Sequence, residues 1–231
     1  MSTPTEESIM KDFDVEIFKP EGSPSSITVF LPGTLLDLAD FQSTYESIVA
    51  QKQVVIAFKR LNPMPIVGIS HNKMAENAVD VVKAFRALEG NDSLPAQYNL
   101  VGHSLGGKVA LMVAAKFDVD HANTVIAIDP VDDKPRELTA PRLSPRTPLT
   151  ESKAEIHLFQ SENGGKSTFP LPALAPSDRN ASVIEEMYPE KIASLTIDEG
   201  AGHMSYLDDR DDEASVKARQ NVQNKIRGVI N

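Results

Sequence analysis

The sequence contains no cysteine among its 231 residues, which excludes disulfide bonds, zinc–thiolate sites and catalysis by a thiol. It also lacks an excess of positive charge, since 23 Lys and Arg stand against 33 Asp and Glu and give a net charge of −10. A protein that binds nucleic acid needs clustered Lys and Arg to contact the phosphates. A nucleic-acid partner is therefore not expected.

Long apolar runs are missing as well. No stretch approaches the roughly 18 to 20 continuous apolar residues that span a bilayer. Residues 1–26 are acidic, and they have neither the apolar core of a secretory signal nor the Arg-rich, acid-poor composition of a transit peptide. No internal repeat is found. We expect residues 1–231 to form a single domain in which residues 1–12 are a flexible tail.

What the chain does contain is a regular alternation of strand and helix patterns. Apolar runs and alternating patterns predict strands at residues 13–18, 26–31, 53–58, 98–101, 123–131, 154–160 and 193–199. Helical patterns separate them at residues 38–52 and 75–88, after Ser104, after Asn180 and at the end of the chain. This order predicts an α/β fold with a mostly parallel central sheet and helices on both faces.

Two long loops interrupt this order, at residues 130–150 and 161–180. Each follows a predicted strand late in the chain. Loops longer than about 15 residues within a compact domain are usually functional. Parallel sheets also bind ligands beyond the carboxyl ends of their strands. A substrate pocket is therefore predicted where these two loops begin. Asp132 and Asp133 in the first loop are expected to be solvated.

A candidate nucleophile lies between a predicted strand and a predicted helix. Residues Gly102-His103-Ser104-Leu105-Gly106 match the G-x-S-x-G nucleophile elbow, which requires that context. The glycines are explained by the tight turn, because larger side chains would contact the adjacent strand and helix. Ser104 is therefore the candidate nucleophile. The N–H groups at the start of the following helix favour negative charge there.

A serine nucleophile needs a base, and the chain has five histidines. His203 lies in the glycine-rich segment "TIDEGAGHMSYLDD", just past the last strand and after Ser104 in chain order, which is where the base belongs in this arrangement. The other four are interpreted as solvated or packed residues, with the side chain of His103 pointing away from the serine: His71, His103, His121 and His157.

The acid and the oxyanion donors complete the candidate site. Asp129 and Glu162 end two successive strands, and the residue pattern leaves both open as the acid. The aspartates at 208–212 are expected to stabilise the start of the last helix. An oxyanion hole needs two N–H donors. Leu105 follows the nucleophile, and Thr34 follows the Pro-Gly turn after an early strand, so these two are the expected donors.

Several separated blocks resemble the chlorophyllase family of the α/β-hydrolase superfamily. They are "LVGHSLGGKVA", "VIAIDPVD", "APSDRNASVIEEMY" and "GAGHMSYLDD", within residues 26–210. The resemblance implies a catalytic triad of Ser104, Asp129 and His203, and so favours Asp129 over Glu162. It also implies hydrolysis of the phytyl ester of chlorophyll to chlorophyllide and phytol, with no cofactor and no metal. Leu105 stands where the plant enzymes usually carry arginine.

The implied substrate is a phytylated pigment, which needs a broad apolar pocket. Five residues of two loop stretches are the candidates for binding it: Met64, Ile66, Phe169, Leu171 and Leu174. Such a rim is expected to make peripheral contact with a membrane, and no obligate protein partner is evident. The resemblance implies a plastid location, with the cytoplasm as the alternative.

Two other functions fit the same motif. One is a general carboxylesterase or dienelactone-hydrolase-like enzyme that acts on small soluble esters. The other is a catalytically inactive α/β-hydrolase that serves as a binding module.

Overall fold

The computed structural model describes residues 5–61, 70–88, 91, 93–132, 147–166 and 174–230. Within them, seven strands form one sheet. The strands are β1 (Val15–Phe18), β2 (Ser26–Leu31), β3 (Gln53–Phe58), β4 (Tyr98–His103), β5 (Ala122–Ile128), β6 (Glu155–Ser161) and β7 (Ile192–Asp198). Their order in the sheet is β1-β3-β2-β4-β5-β6-β7. Only β1, at one edge of the sheet, is antiparallel to its neighbour, which confirms the predicted mostly parallel sheet.

Helices connect the strands. They are α1 (Glu6–Phe13), α2 (Gln42–Val49), α3 (His71–Arg86), α4 (Leu105–Met112), α5 (Ala181–Met187) and α6 (Glu213–Val229). A π-helical segment, Val113–Phe117, continues α4, and 3₁₀ turns lie at Leu38–Phe41, Leu149–Glu151 and Pro189–Lys191. None of the helices in these described stretches is long and apolar enough to cross a bilayer.

Apolar side chains of the sheet alternate between two cores because successive strand residues point to opposite faces. On β3, Val54 and Ile56 pack with residues of α1, α3, α4 and α5. Val55 and Ala57 pack on the other face with residues of α2 and α6. The predicted placement of helices on both faces is confirmed. The central strands β2, β3 and β4 are buried along their whole length.

The N-terminal segment differs from the sequence prediction. A flexible tail over residues 1–12 was expected, but residues from Glu6 onward form α1, which Thr5 caps in a reciprocal pair with Ser8. The physical reason is that Ile9 is 2% exposed and belongs to the core shared with α3. The tail prediction is therefore wrong for the described part of this segment.

The register of the sheet determines which strand ends meet. His103 on β4 pairs with Ile128 on β5, and Ile128 pairs in turn with Phe159 on β6. Parallel strands in register end at the same edge of the sheet. Ser104 and Asp129, each one residue beyond its strand, are thereby held side by side at the carboxyl edge.

Candidate active site

The turn between β4 and α4 holds Ser104 in a backbone conformation that few side chains adopt, with φ 54° and ψ −118°. The flanking glycines are required by close contacts. A Cβ on Gly102 would lie 2.3 Å from the carbonyl oxygen of Gly106, and one on Gly106 would lie 2.0 Å from that of Leu31. Larger side chains at these two positions would therefore collide with the backbone, as predicted from the motif, and Ser104 lies at the start of α4.

Ser104, His203 and Asp129 form a continuous hydrogen-bonded chain. The Oγ of Ser104 lies 2.9 Å from Nε2 of His203, and Nδ1 of His203 lies 2.6 Å from Oδ2 of Asp129. A carboxylate only accepts hydrogen bonds, so Nδ1 carries the proton and Nε2 presents its lone pair to the serine hydroxyl. The structure thus brings the three predicted residues together in the geometry that general-base activation requires.

The carboxylate of Asp129 is completely buried and accepts hydrogen bonds from three donors. Besides His203, the backbone N–H of Ser161 donates to Oδ1 at 2.8 Å, and the Ser161 hydroxyl donates to Oδ2 at 2.6 Å. Asp129 has a φ of 43°, an uncommon backbone conformation, directly after the end of β5. A Cβ on Gly164 would lie 2.2 Å from the Ser161 Oγ, so this approach also depends on a glycine.

Glu162, the second candidate acid, has a different partner. Its Oε2 accepts a hydrogen bond from the backbone N–H of Gly200 at 2.8 Å. Asn163 binds the same segment, since its N–H donates to the carbonyl oxygen of Ala201 at 2.8 Å. Both residues therefore anchor the loop that carries His203, and of the two candidate acids it is Asp129 that contacts the imidazole.

The side chain of His103 was expected to point away from the serine, and sequence reasoning did not predict the contacts that it makes beside the site. The side chain is fully buried, its Nε2 lies 2.9 Å from the carbonyl oxygen of His203, and the two imidazole rings are 4.8 Å apart. Burial and the neighbouring His203 lower the pKa of His103 to about 3, so its ring is neutral. Ser161 was missed as well, because neither residue has a recognisable motif role.

The two expected oxyanion donors lie on either side of Ser104. Leu105 begins α4, and Thr34 follows Gly33, where a Cβ would lie 3.2 Å from the Cβ of Ser104. In the described part of the chain, the backbone N–H groups of Thr34 and Leu105 donate to no protein acceptor. The next residue, Leu35, is 67% exposed and has a φ of 64°, an uncommon conformation for leucine.

A cleft of about 500 Å³ is lined by His203 and by the residues around it. Leu174, one of the predicted substrate-binding residues, lines this cleft and is 42% exposed. Charged side chains line it too, namely Lys166, Arg210 and Asp212. The other four predicted substrate-binding residues lie outside the described residues: Met64, Ile66, Phe169 and Leu171.

Asp132 was expected to be a solvated loop residue, and this prediction is wrong. Its carboxylate is buried, lies 3.4 Å from the Nζ of Lys108 on the helix after the elbow, and accepts the N–H and hydroxyl of Thr147. Burial raises the pKa of Asp132, while Lys108 and the two hydrogen bonds oppose that rise. These contacts join Asp132 and Thr147 to each other and to α4.

Among the described residues no group of three or more His, Cys, Asp or Glu side chains has the arrangement of a metal site. The acidic side chains near the loop that carries His203, here called the base loop, have protein partners instead. Asp208 accepts the N–H of Ser43 at 2.8 Å and so binds the start of α2. Asp212 caps α6 by accepting the N–H of Ser215 at 3.0 Å. The prediction that this acidic run stabilises the start of α6 is confirmed for Asp212, whereas Asp208 binds α2 and lies 3.8 Å from Nε of Arg219 on α6.

Comparison with known proteins identifies the fold. No family model and no curated protein matches the chain. Solved structures do match it, among them the crystal structure of esterase PE8, with 17% sequence identity and a TM-score of 0.58. The match covers 94% of this chain and 98% of that one. The chain has the α/β-hydrolase fold. In this fold the carboxyl edge of the sheet, where Ser104 lies, is the edge at which sites are built.

Proposed function

We propose that the protein is a serine hydrolase of carboxylic esters, in which Ser104 forms an acyl-enzyme intermediate. The observation that carries this proposal is the hydrogen-bonded chain from Ser104 through His203 to Asp129. An isolated serine hydroxyl is a weak nucleophile, and a neighbouring imidazole held by a carboxylate is the usual means of activating it. The structural neighbour PE8 is an esterase, which agrees with this reaction class.

The reaction divides into two halves. In the first, Oγ of Ser104 attacks the ester carbonyl while Nε2 of His203 takes the hydroxyl proton, and the imidazolium then returns that proton to the departing alcohol. In the second, His203 takes a proton from water, the resulting hydroxide equivalent attacks the acyl-serine carbonyl, and the proton goes back to Ser104. Asp129 holds the tautomer of His203 and stabilises the imidazolium in both halves.

Negative charge develops on the carbonyl oxygen in each half. The N–H groups of Leu105 and Thr34 are the proposed donors, and their lack of protein acceptors in the described residues supports this role. Loss of one such donor typically costs about 3 to 4 kcal/mol of transition-state stabilisation. The N-terminus of α4 adds a favourable dipole at the same place.

The substrate we propose is the phytyl ester of chlorophyll, which would release chlorophyllide and phytol. Support comes from the motif blocks shared with chlorophyllases and from two exposed apolar side chains beside the site, Leu35 and Leu174. A branched C₂₀ alcohol needs such contacts, and they also suit an enzyme that meets its substrate at a membrane surface. A plastid location follows from the same resemblance and belongs to the same proposal.

A second substrate class is suggested by the cleft beside His203. Its volume of about 500 Å³ lies within the range of sites for compact ligands, and Lys166, Arg210 and Asp212 line it. Ser104 is not among the lining residues, so the cleft supports a small, polar ester only through its position next to the base. The inactive binding module is disfavoured, because a protein that only binds has no need of a hydrogen-bonded base and acid behind its serine.

One comparison tests the proposal and separates the two substrates. Wild type and Ser104→Ala are assayed for chlorophyllide release from chlorophyll a in dilute detergent and for cleavage of p-nitrophenyl butyrate. The phytyl-ester proposal predicts chlorophyllide release by the wild type and none by the variant. Cleavage of the butyrate alone would reject chlorophyll and retain the esterase. Cleavage of neither ester would contradict the proposed activity.

A further inference from the structure

His103 lies at a point where three parts of the site meet. It is the last residue of β4 and directly precedes Ser104, so its backbone is fixed by the sheet and by the elbow. Its ring is fully buried and lies 5.4 Å from the ring of Phe41 and 4.8 Å from that of His203, measured between ring centroids. A buried imidazole on a strand is well placed to hold the segments that it contacts.

One edge of the ring contacts the segment that carries the base. Nε2 lies 2.9 Å from the carbonyl oxygen of His203. Since a carbonyl oxygen only accepts, Nε2 is protonated and donates, and Nδ1 carries the lone pair. This bond is made to the backbone of His203 itself, whereas Glu162 and Asn163 anchor the same loop two or three residues earlier.

The other ring nitrogen, Nδ1, faces the segment that leads to Thr34, a proposed oxyanion donor. A Cβ on Gly33 would lie 2.9 Å from Nδ1 of His103, so the ring packs directly against the backbone that leads to Thr34. Nδ1 makes no hydrogen bond to any described residue. The same imidazole therefore contacts the base loop through Nε2 and, through Nδ1, the segment of Gly33 and Thr34.

The base loop contains two glycines close to His203. Gly200, with a φ of 75°, and Gly202 flank Ala201 just before His203, and glycines give a loop more conformational freedom than other residues. The distance of 2.9 Å between Nε2 of His203 and Oγ of Ser104 is maintained across 99 residues of chain. A misplacement of about 1 Å in such a pair can lower the rate about 100-fold.

We propose that His103 is a positioning residue, which fixes the loops of His203 and Thr34 relative to Ser104 through its Nε2–H bond to the His203 carbonyl and its packing on Gly33. The inference rests on the proposed ester hydrolysis and gives a role in it to His103, the residue between Gly102 and Ser104 in the elbow. The neutral state of His103 suits this role, since a second positive charge would repel the imidazolium that forms on His203.

Three variants test the role. His103→Phe keeps a ring and removes the donor. His103→Gln keeps a donor, because the amide nitrogen of glutamine reaches a position similar to Nε2. His157→Phe is the matched control, since His157 is also a buried strand histidine, with Nδ1 2.8 Å from the hydroxyl of Ser194 and away from the site. Thermal denaturation establishes that each variant is folded before kcat and KM for p-nitrophenyl butyrate are measured.

We expect His103→Phe to lower kcat about 10- to 100-fold with KM within about threefold of the wild type. His103→Gln should recover most of that loss, and His157→Phe should leave kcat unchanged. A His103→Phe enzyme with wild-type kcat would overturn the proposal, as would equal losses in the Phe and Gln variants. If His103→Phe does not fold, a His103→Gln enzyme with less than a tenth of wild-type kcat overturns it. A wild type that cleaves no ester would instead reject the proposed function.

Discussion

Ser161 donates two hydrogen bonds to the carboxylate of Asp129, one from its backbone N–H at 2.8 Å and one from its hydroxyl at 2.6 Å. The hydroxyl and Nδ1 of His203 share the same oxygen, Oδ2. Ser161 is the last residue of β6, so the acid at the end of one strand is held by the end of the next. This arrangement fixes the plane of the carboxylate in a completely buried site.

Replacing Ser161 with alanine should weaken the site without removing any member of the proposed triad. The backbone N–H bond to Asp129 remains, but the hydroxyl donor is lost. Hydrogen bonds to charged groups contribute about 1.5 to 3 kcal/mol, so we expect kcat for p-nitrophenyl butyrate to fall about tenfold or more. Ser182→Ala is the control, because Ser182 donates its N–H and hydroxyl to Gln160 in the same way outside the site. Equal kcat for both variants and the wild type would contradict this role of Ser161.

Exchanging each candidate acid for its amide should separate Asp129 from Glu162. In Asp129→Asn the amide no longer stabilises the imidazolium and favours the wrong tautomer of His203, and we expect kcat to fall by about 10⁴. In Glu162→Gln the amide oxygen still accepts the N–H of Gly200, so kcat should stay within about threefold of the wild type. Steady-state kinetics on a chromogenic ester measures both. A larger loss in the Glu162 variant would place the acid on β6 instead.

The buried pair of Lys108 and Asp132 should matter for stability. Removing one partner leaves the other charge buried, which typically costs about 3 to 5 kcal/mol. We therefore expect Lys108→Met to lower the free energy of unfolding by about 3 kcal/mol in urea denaturation. Lys153→Met breaks an exposed pair with Asp120 and should leave the free energy of unfolding nearly unchanged, because solvent screens that pair. Similar small effects of both substitutions would show that the buried pair contributes little.

Acid should destabilise the fold partly through His103. The pKa of this residue is about 3 in the folded protein and about 6.5 in an unfolded chain, because burial and His203 lower it more than Asp129 raises it. Between these two values only the unfolded state takes up the proton, so stability falls as the pH drops below about 6.5. The contribution is about 1.4 kcal/mol per pH unit, and it should disappear in His103→Gln.

Urea denaturation of both proteins at pH 7 and pH 5 measures this difference. The lowered pKa of His157 acts in the same direction and is retained in the variant, so the comparison isolates His103. The same loss of stability between the two pH values in wild type and His103→Gln would refute the assignment.

The strands and the nucleophile could be predicted because their signals are local. Apolar runs such as residues 26–31 and 53–58 are bounded by turn residues, and the structure places β2 and β3 at those bounds. Ser104 was predicted because the glycines on either side follow from steric contacts within the same turn. The N-terminal helix was missed because its burial depends on α3, which lies more than 50 residues away in sequence.

The contacts that shape the site are long-range and could not be predicted. Asp129 and Glu162 end neighbouring strands, and the choice between them depends on the positive φ of Asp129 and on the partner that Gly200 offers to Glu162. His103 contacts a loop 100 residues later in the chain. Asp132 was predicted to be solvated because nothing in the sequence around it points to its partner, Lys108, which lies on the preceding helix. Such pairings follow from strand register, which a single sequence does not reveal.

Covalent labelling shows whether Ser104 is the nucleophile. Wild type, Ser104→Ala and heat-unfolded wild type are treated with a fluorophosphonate probe, and intact mass and peptide mapping locate the adduct. We expect one adduct on the wild type, in the peptide that contains Ser104, and none on the other two samples. An unlabelled wild type, or an adduct that persists in Ser104→Ala, would contradict this role of Ser104.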